Sequence, residues 1–339
     1  MKGRLRGTCR FCYQPGMASF LVTGGCGFIG SNLVSALVKR GDTVRILDNL
    51  STGSLANISP LLQKHSRQVT LFRGDILDGP LLDRALVGVD YVLHLAANPS
   101  VVWSMAHPLE CERVNVAGTL QVLEAARRQG RIARVVLSTS CAAYGDLLPD
   151  APKRESDPTA PLSPYAAAKL CCEHFGSVYS QVFSLPVVSL RYFNVFGPRQ
   201  DPGSPYAAVI PNFVQSALLG RRPRVFGDGR QSRDFVYVDN VVAANLLACF
   251  APAEQVAGQV VNIGCAVPVT LLDLLAELAA LTGRPIEPEF LPARPGEVRH
   301  SLADIAVAQK RLGYAPTVRF AEGLLRTLRW FAGEKEDTA

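Results

Sequence analysis

Tyr165 and Lys169 stand four residues apart behind Ser163-Pro164, downstream of a glycine-rich loop at Thr23–Gly30. Ser163 can cap a helix, and Pro164 fits a helix's first turn. Positions i and i+4 share one helix face, and only Ala166, Ala167 and Ala168 lie between the two. A phenol and an ammonium then point the same way. A nearby cation favours phenolate, so the tyrosine pKa is expected to fall from ~10 toward working pH. That suits a general base or acid.

The glycine loop implies a second kind of chemistry. Thr23-Gly24-x-x-Gly27-x-x-Gly30 follows the apolar run 19–23 and precedes an amphipathic pattern through Leu33, Leu37 and Val38 to Gly41. Between a strand and a helix, such glycines let backbone approach a pyrophosphate, and the helix N-terminus supplies donors. Gly24, Gly27, Phe28, Ile29 and Gly30 are the candidate contacts. Asp48 ends the next strand, where a carboxylate binds a ribose 2′-OH and repels a 2′-phosphate. Asn49 and Leu50 beside it bring no cation, so NAD is expected over NADP. Asp75-Ile76, after the third strand, is placed to hold the adenine.

These residues need a framework. Apolar runs recur at 43–47, 69–72, 91–95, 134–137, 186–190 and 260–263, separated by helix-length segments. Alternation of this kind implies βαβ units and a parallel α/β sheet buried on both faces. Pro198, Pro202, Pro205, Pro211 and Pro223 break up the second half. There Val225–Gly229 reads as a strand entering a tight turn, and 271–281 and 320–331 read as helices. A smaller lobe at the sheet's carboxyl edge follows, where open α/β folds bind ligands. The expected division is 18–194 plus 236–264 for the dinucleotide domain and 195–235 plus 265–335 for the lobe. Residues 1–17 are expected to be a disordered extension.

Composition narrows the function. A 339-residue chain that is 48% hydrophobic supports an ordinary core, and no apolar run approaches the ~18 residues a bilayer crossing needs. Nine scattered cysteines, an odd number, fit reduced thiols and a cytoplasmic location. The net charge of +6 owes much to Lys2, Arg4, Arg6 and Arg10 in an acid-free N-terminus. The remaining basic residues form no stripe with interleaved aromatics, so no nucleic-acid partner is expected. Cys9-x-x-Cys12 lacks the second pair that a structural zinc takes, and no metal is expected.

The motifs resemble the extended short-chain dehydrogenase/reductases, and within them the UDP-hexose 4-epimerases. The resemblance runs from about Ser19 to Phe331. It is carried by Thr23–Gly30, Gly74–Ile76, His94–Ala97, Asn115, Ser138–Gly145, Tyr165–Lys169, Arg191–Arg199, Arg230–Asn240 and Arg294–Asp304. It implies a Rossmann-type doubly wound parallel sheet with a smaller mixed α/β substrate-binding lobe. Tyr165 would take the proton of the sugar 4-OH, Lys169 would bind the nicotinamide ribose, and Ser140 would hydrogen-bond the reacting oxygen. Leu95, Ala96 and Ala97 would line the cofactor. Ser100, Asn194 and Val209 would contact the UDP-sugar, and Arg233 and Arg294 would clamp its pyrophosphate. Similar enzymes pair through the helices carrying 115–128 and 163–182, so a homodimer is expected.

The reaction implied is a reversible 4-epimerisation through a 4-keto sugar. Two alternatives stand beside it: a 4,6-dehydratase or decarboxylase of nucleotide sugars, and a dinucleotide-binding regulator without catalysis. Similar dehydratases carry an acidic side chain just after the catalytic Thr or Ser, where this chain has Cys141 and Ala142. Regulators typically lose the Tyr or Lys, and both are present. Ser301 stands where similar epimerases of unsubstituted hexoses place a tyrosine beside the sugar C2 substituent. The surrounding Arg299–Asp304 is most similar to the branch preferring N-acetylated sugars, so UDP-GlcNAc/UDP-GalNAc is the expected pair.

Overall fold

The structure, a computed structural model, describes residues 18–147, 151–202, 208–293 and 298–334. The N-terminal extension with Cys9 and Cys12, and the expected clamp Arg294, lie outside these residues. In chain order the strands are β1 (Ser19–Thr23), β2 (Thr43–Asp48), β3 (Val69–Arg73), β4 (Tyr91–His94), β5 (Arg134–Ser140), β6 (Val187–Tyr192) and β7 (Asn194–Phe196). They continue as β8 (Arg224–Phe226), β9 (Ser232–Tyr237), β10 (Gln259–Ile263), β11 (Pro268–Thr270), β12 (Glu289–Leu291) and β13 (His300–Ser301).

Seven of them form one parallel sheet in the order β10-β6-β5-β4-β1-β2-β3. Outward winding from β1 in both directions makes the sheet doubly wound. Both faces are covered by apolar cores, one around Phe20, Val22, Leu93 and Leu190, the other around Leu21, Leu82, Val92 and Leu137. Every residue of β6 is buried, as a strand between two helix layers must be.

A second sheet centres on β9. That strand lies between β11, antiparallel to it, and β13, parallel to it, and β7 pairs with it in parallel further along, at Phe235–Tyr237. Its core gathers Phe196, Phe213, Phe235, Tyr237, Leu274 and Leu324. The expected strand at 225 is β8, which pairs with β12 in a separate ribbon.

The helix Pro164–Phe183 starts as the sequence implies. Ser163 Oγ accepts from Ala166 N at 3.1 Å, and Pro164 takes the first position. Gly176 lets it settle closely on the sheet: a Cβ there would come within 3.0 Å of Leu137 Cδ1 and 3.1 Å of Val187 Cγ1. A buried ion pair fixes it laterally. Arg191 of β6 donates from Nε to Glu173 Oε1 at 2.9 Å, with both side chains only 3% exposed. The same guanidinium covers the ring of Tyr144 at 4.4 Å. Among the described residues, no helix is long and apolar enough to cross a membrane.

Candidate active site

The glycine turn sits at the carboxyl end of β1. Gly24 is left-handed at φ +70 and donates to Leu47 O, and its carbonyl accepts from Gly27 N at 3.1 Å. A Cβ on Gly24 would lie 2.8 Å from Ala96 N, and one on Gly30 only 2.1 Å from Gly24 O. Only glycine permits this approach. The helix Phe28–Arg40 opens at Gly27 with no side-chain cap, which leaves its first-turn amides for a ligand. Gly24 thereby packs on the backbone of Leu95-Ala96, where Leu95 N donates to Thr23 O.

Asp48 closes the turn from below. It is 7% exposed, and its carboxylate accepts from Cys26 N and Leu50 N, each at 2.8 Å. Each oxygen keeps a further lone pair, which suits a ribose hydroxyl. Asn49 and Asp75 meet at 3.0 Å across the neighbouring loop. Ile76 is 5% exposed and packs against Gly118, so it is chiefly core. One cation escaped the sequence reading: β3 places the exposed Arg73 in register with Asp48. The donors and the carboxylate together fit a dinucleotide.

His94, at the end of β4, is a further residue that the spacing alone does not explain. Its ring is buried between Thr23 Oγ1 (2.7 Å, at Nδ1) and Thr119 Oγ1 (3.0 Å, at Nε2). Thr119 donates its single hydroxyl proton to Asn115 O at 2.6 Å, so it accepts from His94, which fixes the proton on Nε2. Burial, with Lys169 nearby, drives the imidazole down to about 3. It is neutral. Asn115 in turn grips the backbone of Asn98 through both side-chain atoms, and thereby holds the loop that leads to Ser100.

The chemical group lies one step along the sheet edge. Ser140 ends β5, and Tyr165 and Lys169 face it from the capped helix. Lys169, 6% exposed, donates to Ser138 O at 2.8 Å. Here the structure corrects the pKa expected from spacing. Burial pushes the Tyr165 phenol up to about 12, and the hydrogen bond to Ser140 offsets only part of that. Burial also lowers the Lys169 ammonium. The buried setting decides the direction, because desolvation acts on the phenolate directly.

A cleft of about 440 Å³ opens over these groups. Ser100, Ser140, Tyr165, Asn194, Arg233 and Ser301 all line it, as do Cys141, Tyr144 and Lys153. Asn194 Oδ1 is buried and meets no partner among the described residues, which marks it as an acceptor held for a ligand. Ser301 Oγ lies 3.9 Å from Cys141 Sγ. Val209 falls one residue off: it opens a helix and packs toward the small-sheet core, and Ala208 lines the cleft instead. Lys153 is only 2% exposed; in sequence, Pro152-Lys153-Arg154-Glu155 looks like a solvated loop. None of the described residues lining the cleft is an aspartate or glutamate.

The glycine turn, the acidic strand end and the Ser-Tyr-Lys group share one carboxyl edge of the sheet, the arrangement of a Rossmann-type nicotinamide dinucleotide enzyme. The pattern of the NAD dependent epimerase/dehydratase family matches residues 20–264, and the chain belongs to that family. It is 38% identical over 317 residues to a UDP-glucose 4-epimerase of Mycolicibacterium smegmatis, covering 93% of this chain and 99% of the relative. A solved UDP-N-acetylglucosamine 4-epimerase from Methanobrevibacter ruminantium, in complex with UDP-N-acetylmuramic acid, superposes with a TM-score of 0.87. It is 39% identical, over 94% of this chain and 99% of that one. The UDP-glucose 4-epimerase of Thermus thermophilus, complexed with NAD, gives 0.83 at 36% identity over 94% and 100%.

Proposed function

We propose that this NAD-dependent 4-epimerase interconverts UDP-GlcNAc and UDP-GalNAc, with UDP-glucose and UDP-galactose as poorer substrates. Tyr165 takes the proton of the 4-OH, while Ser140 hydrogen-bonds the oxygen as it becomes a carbonyl. NAD, held by the glycine-turn amides and Asp48, would supply the hydride acceptor and donor for C4. Lys169 holds its charge beside the phenolate that accepts this proton, and would orient the ribose of the bound dinucleotide. Asn194 and Arg233 hold the nucleotide sugar, the planar guanidinium suiting a diphosphate. Turning the 4-keto sugar within the cleft before hydride return gives the opposite configuration. Tyr165 then gives its proton back.

Ser301 carries the substrate assignment. It stands on the cleft wall beside Cys141, leaving room where a tyrosine would fill the space next to C2. Its hydroxyl can meet an acetamide. An unfilled space of this kind forfeits contacts of ~1–3 kcal/mol with the smaller hexose. Dehydratase or decarboxylase chemistry needs a further acid or base at C5. Cys141 does not supply one, since burial pushes its thiol up to about 11. The test is kcat/KM for both substrate pairs in wild type and Ser301→Tyr, with products resolved by NMR. Loss of the N-acetylated pair in the variant is expected; intact UDP-GlcNAc turnover there refutes the assignment.

The chain is also expected to pair with a second copy. Val178, Val182 and Phe183 are exposed on the helix Pro164–Phe183, an apolar face that association would cover. Light scattering reads the mass directly, and a monomer at micromolar concentration counts against pairing.

A further inference from the structure

Asp234 is a fully buried carboxylate that the chemistry of the cleft does not use. It follows Arg233 on β9, where the β11 and β13 pairings end and just before the β7 pairing begins at Phe235. β13 reaches only Ser301, in register with Arg233, and β11 begins with Pro268, in register with Asp234. At that junction between pairings the side chain supplies acceptors of its own. Oδ1 accepts from Cys265 N at 2.7 Å, and Oδ2 accepts from Ala266 N at 2.9 Å and Ala303 N at 3.1 Å.

These three amides come from different parts of the fold. Cys265 and Ala266 lie in the turn leaving β10, the edge strand of the large sheet, and Ala303 follows the strand that carries Ser301. The fit is tight. A Cβ on Gly264 would lie 2.7 Å from both Asp234 Oδ2 and Ala303 Cβ, and Ala266 is held at φ +56. Three amide donors on one carboxylate are charge-assisted bonds, roughly twice as strong as neutral ones.

We propose that Asp234 is a positioning residue for the nucleotide-sugar site, its carboxylate holding Arg233 and Ser301 in the register from which they reach the diphosphate and the sugar. The inference rests on the UDP-sugar reading of the cleft. Burial raises the Asp234 carboxyl to about 6, and the three amides pull it partly back. The titratable groups around it are the Cys265 and Cys141 thiols and the Tyr314 phenol, all raised by burial and neutral. Arg233 is the adjacent cation, donating to Ser232 O and Arg299 O, and His300 on β13 bonds Ser232. Protonating Asp234 puts a hydrogen where an amide already points and loosens the joint.

The experiment compares wild type, Asp234→Asn and Gly264→Ala for KM, kcat, bound NAD and pH dependence with UDP-GlcNAc and UDP-glucose. Asparagine keeps the shape but turns an NH₂ toward an amide donor, so KM should rise about tenfold, as for the loss of one charged hydrogen bond. kcat and NAD content should stay near wild type, and the preference between the two sugars should narrow. Wild-type KM should rise below about pH 6, and the Asp234→Asn profile should be flat there; His300 is common to both proteins. Gly264→Ala retains the carboxylate but presses on Ala303, so it should show the same KM effect and decides the matter if Asp234→Asn does not fold. Unchanged KM in the variants, or KM, kcat and NAD content failing together, overturns the inference. A wild type that turns over neither sugar overturns the functional reading, and this one with it.

Discussion

Gly30→Ala sets two effects of opposite sign against each other. Gly30 lies in the first turn of the helix Phe28–Arg40 and outside the left-handed region. On helix propensity alone, alanine gains up to ~0.8–1.0 kcal/mol there. The new Cβ, however, would stand 2.1 Å from Gly24 O, 2.8 Å from Gly25 Cα and 2.9 Å from Gly24 C. These are backbone atoms, and Gly24 is tied by hydrogen bonds to Leu47 and Gly27. An ordinary C···O contact is ~3.3 Å, so the turn must retreat by about 1 Å. Overpacking of this kind costs ~1–3 kcal/mol, which cancels or exceeds the propensity gain. Binding suffers more. Hydrogen bonds to a charged group contribute ~1.5–3 kcal/mol each, so misplacing two amides weakens NAD by at least ~100-fold. The assay is HPLC of nucleotide released on denaturation, with melting curves with and without added NAD. Gly41→Ala is the control, because its φ is +93 with nothing within 4 Å of the new Cβ, so it costs stability and not cofactor. A Gly30→Ala protein that melts higher and keeps full NAD(H) refutes the steric argument.

Tyr165→Phe should retain NAD and lose ~10²–10⁴-fold in turnover, the usual contribution of a general acid–base group; Ser140→Ala should be milder, and more than about a tenth of wild-type activity in Tyr165→Phe removes it as the base. Because burial holds Tyr165 near 12, its active phenolate grows as pH rises, so kcat/KM should climb through neutral pH toward the alkaline side. Lys169→Met should move that limb to higher pH, and a flat profile or an unmoved limb contradicts the assignment. Glu173→Gln leaves the Arg191 guanidinium buried without its counter-charge, at a cost of ~3–5 kcal/mol. Urea unfolding measures it, and a loss under about 1 kcal/mol, typical of an exposed pair, shows that the pair does not anchor the catalytic helix.

Most of the large sheet was legible because its signals are local. The first unit packs an apolar run, a glycine turn, a helix and an acidic strand end into about thirty residues, Ser19 to Asp48. The Tyr165–Lys169 pair was legible for the same reason, since its spacing and its Ser-Pro cap are written within seven residues. The β9 sheet was not. β7, β11 and β13 are two or three residues long, too short for any period to show, and they exist only because distant segments pair with β9. Lys153 escaped for a related reason: nothing near it in sequence shows that folding closes a cleft over it. The tyrosine pKa failed differently. Spacing brings the ammonium near, but only the packed structure shows how much solvent the phenol loses.

This contrast separates chemistry from selectivity along the chain. Proton and hydride chemistry requires groups fixed to within a fraction of an ångström, and one helix face and one strand–turn–helix unit can provide that locally. On the proposed reading, sugar choice depends on Ser301, whose place in the cleft comes from a two-residue strand paired with Arg233 and, on the inference above, from a carboxylate gathering amides of residues 265, 266 and 303. Such a wall can shift through changes at β13 or the turn after β10, with Tyr165, Lys169 and the glycine turn untouched. Substitutions in residues 264–268 or 298–304 should therefore alter which sugar is accepted while leaving the pH dependence of turnover as it was. A turn variant that moves both together would show that the two layers are mechanically one.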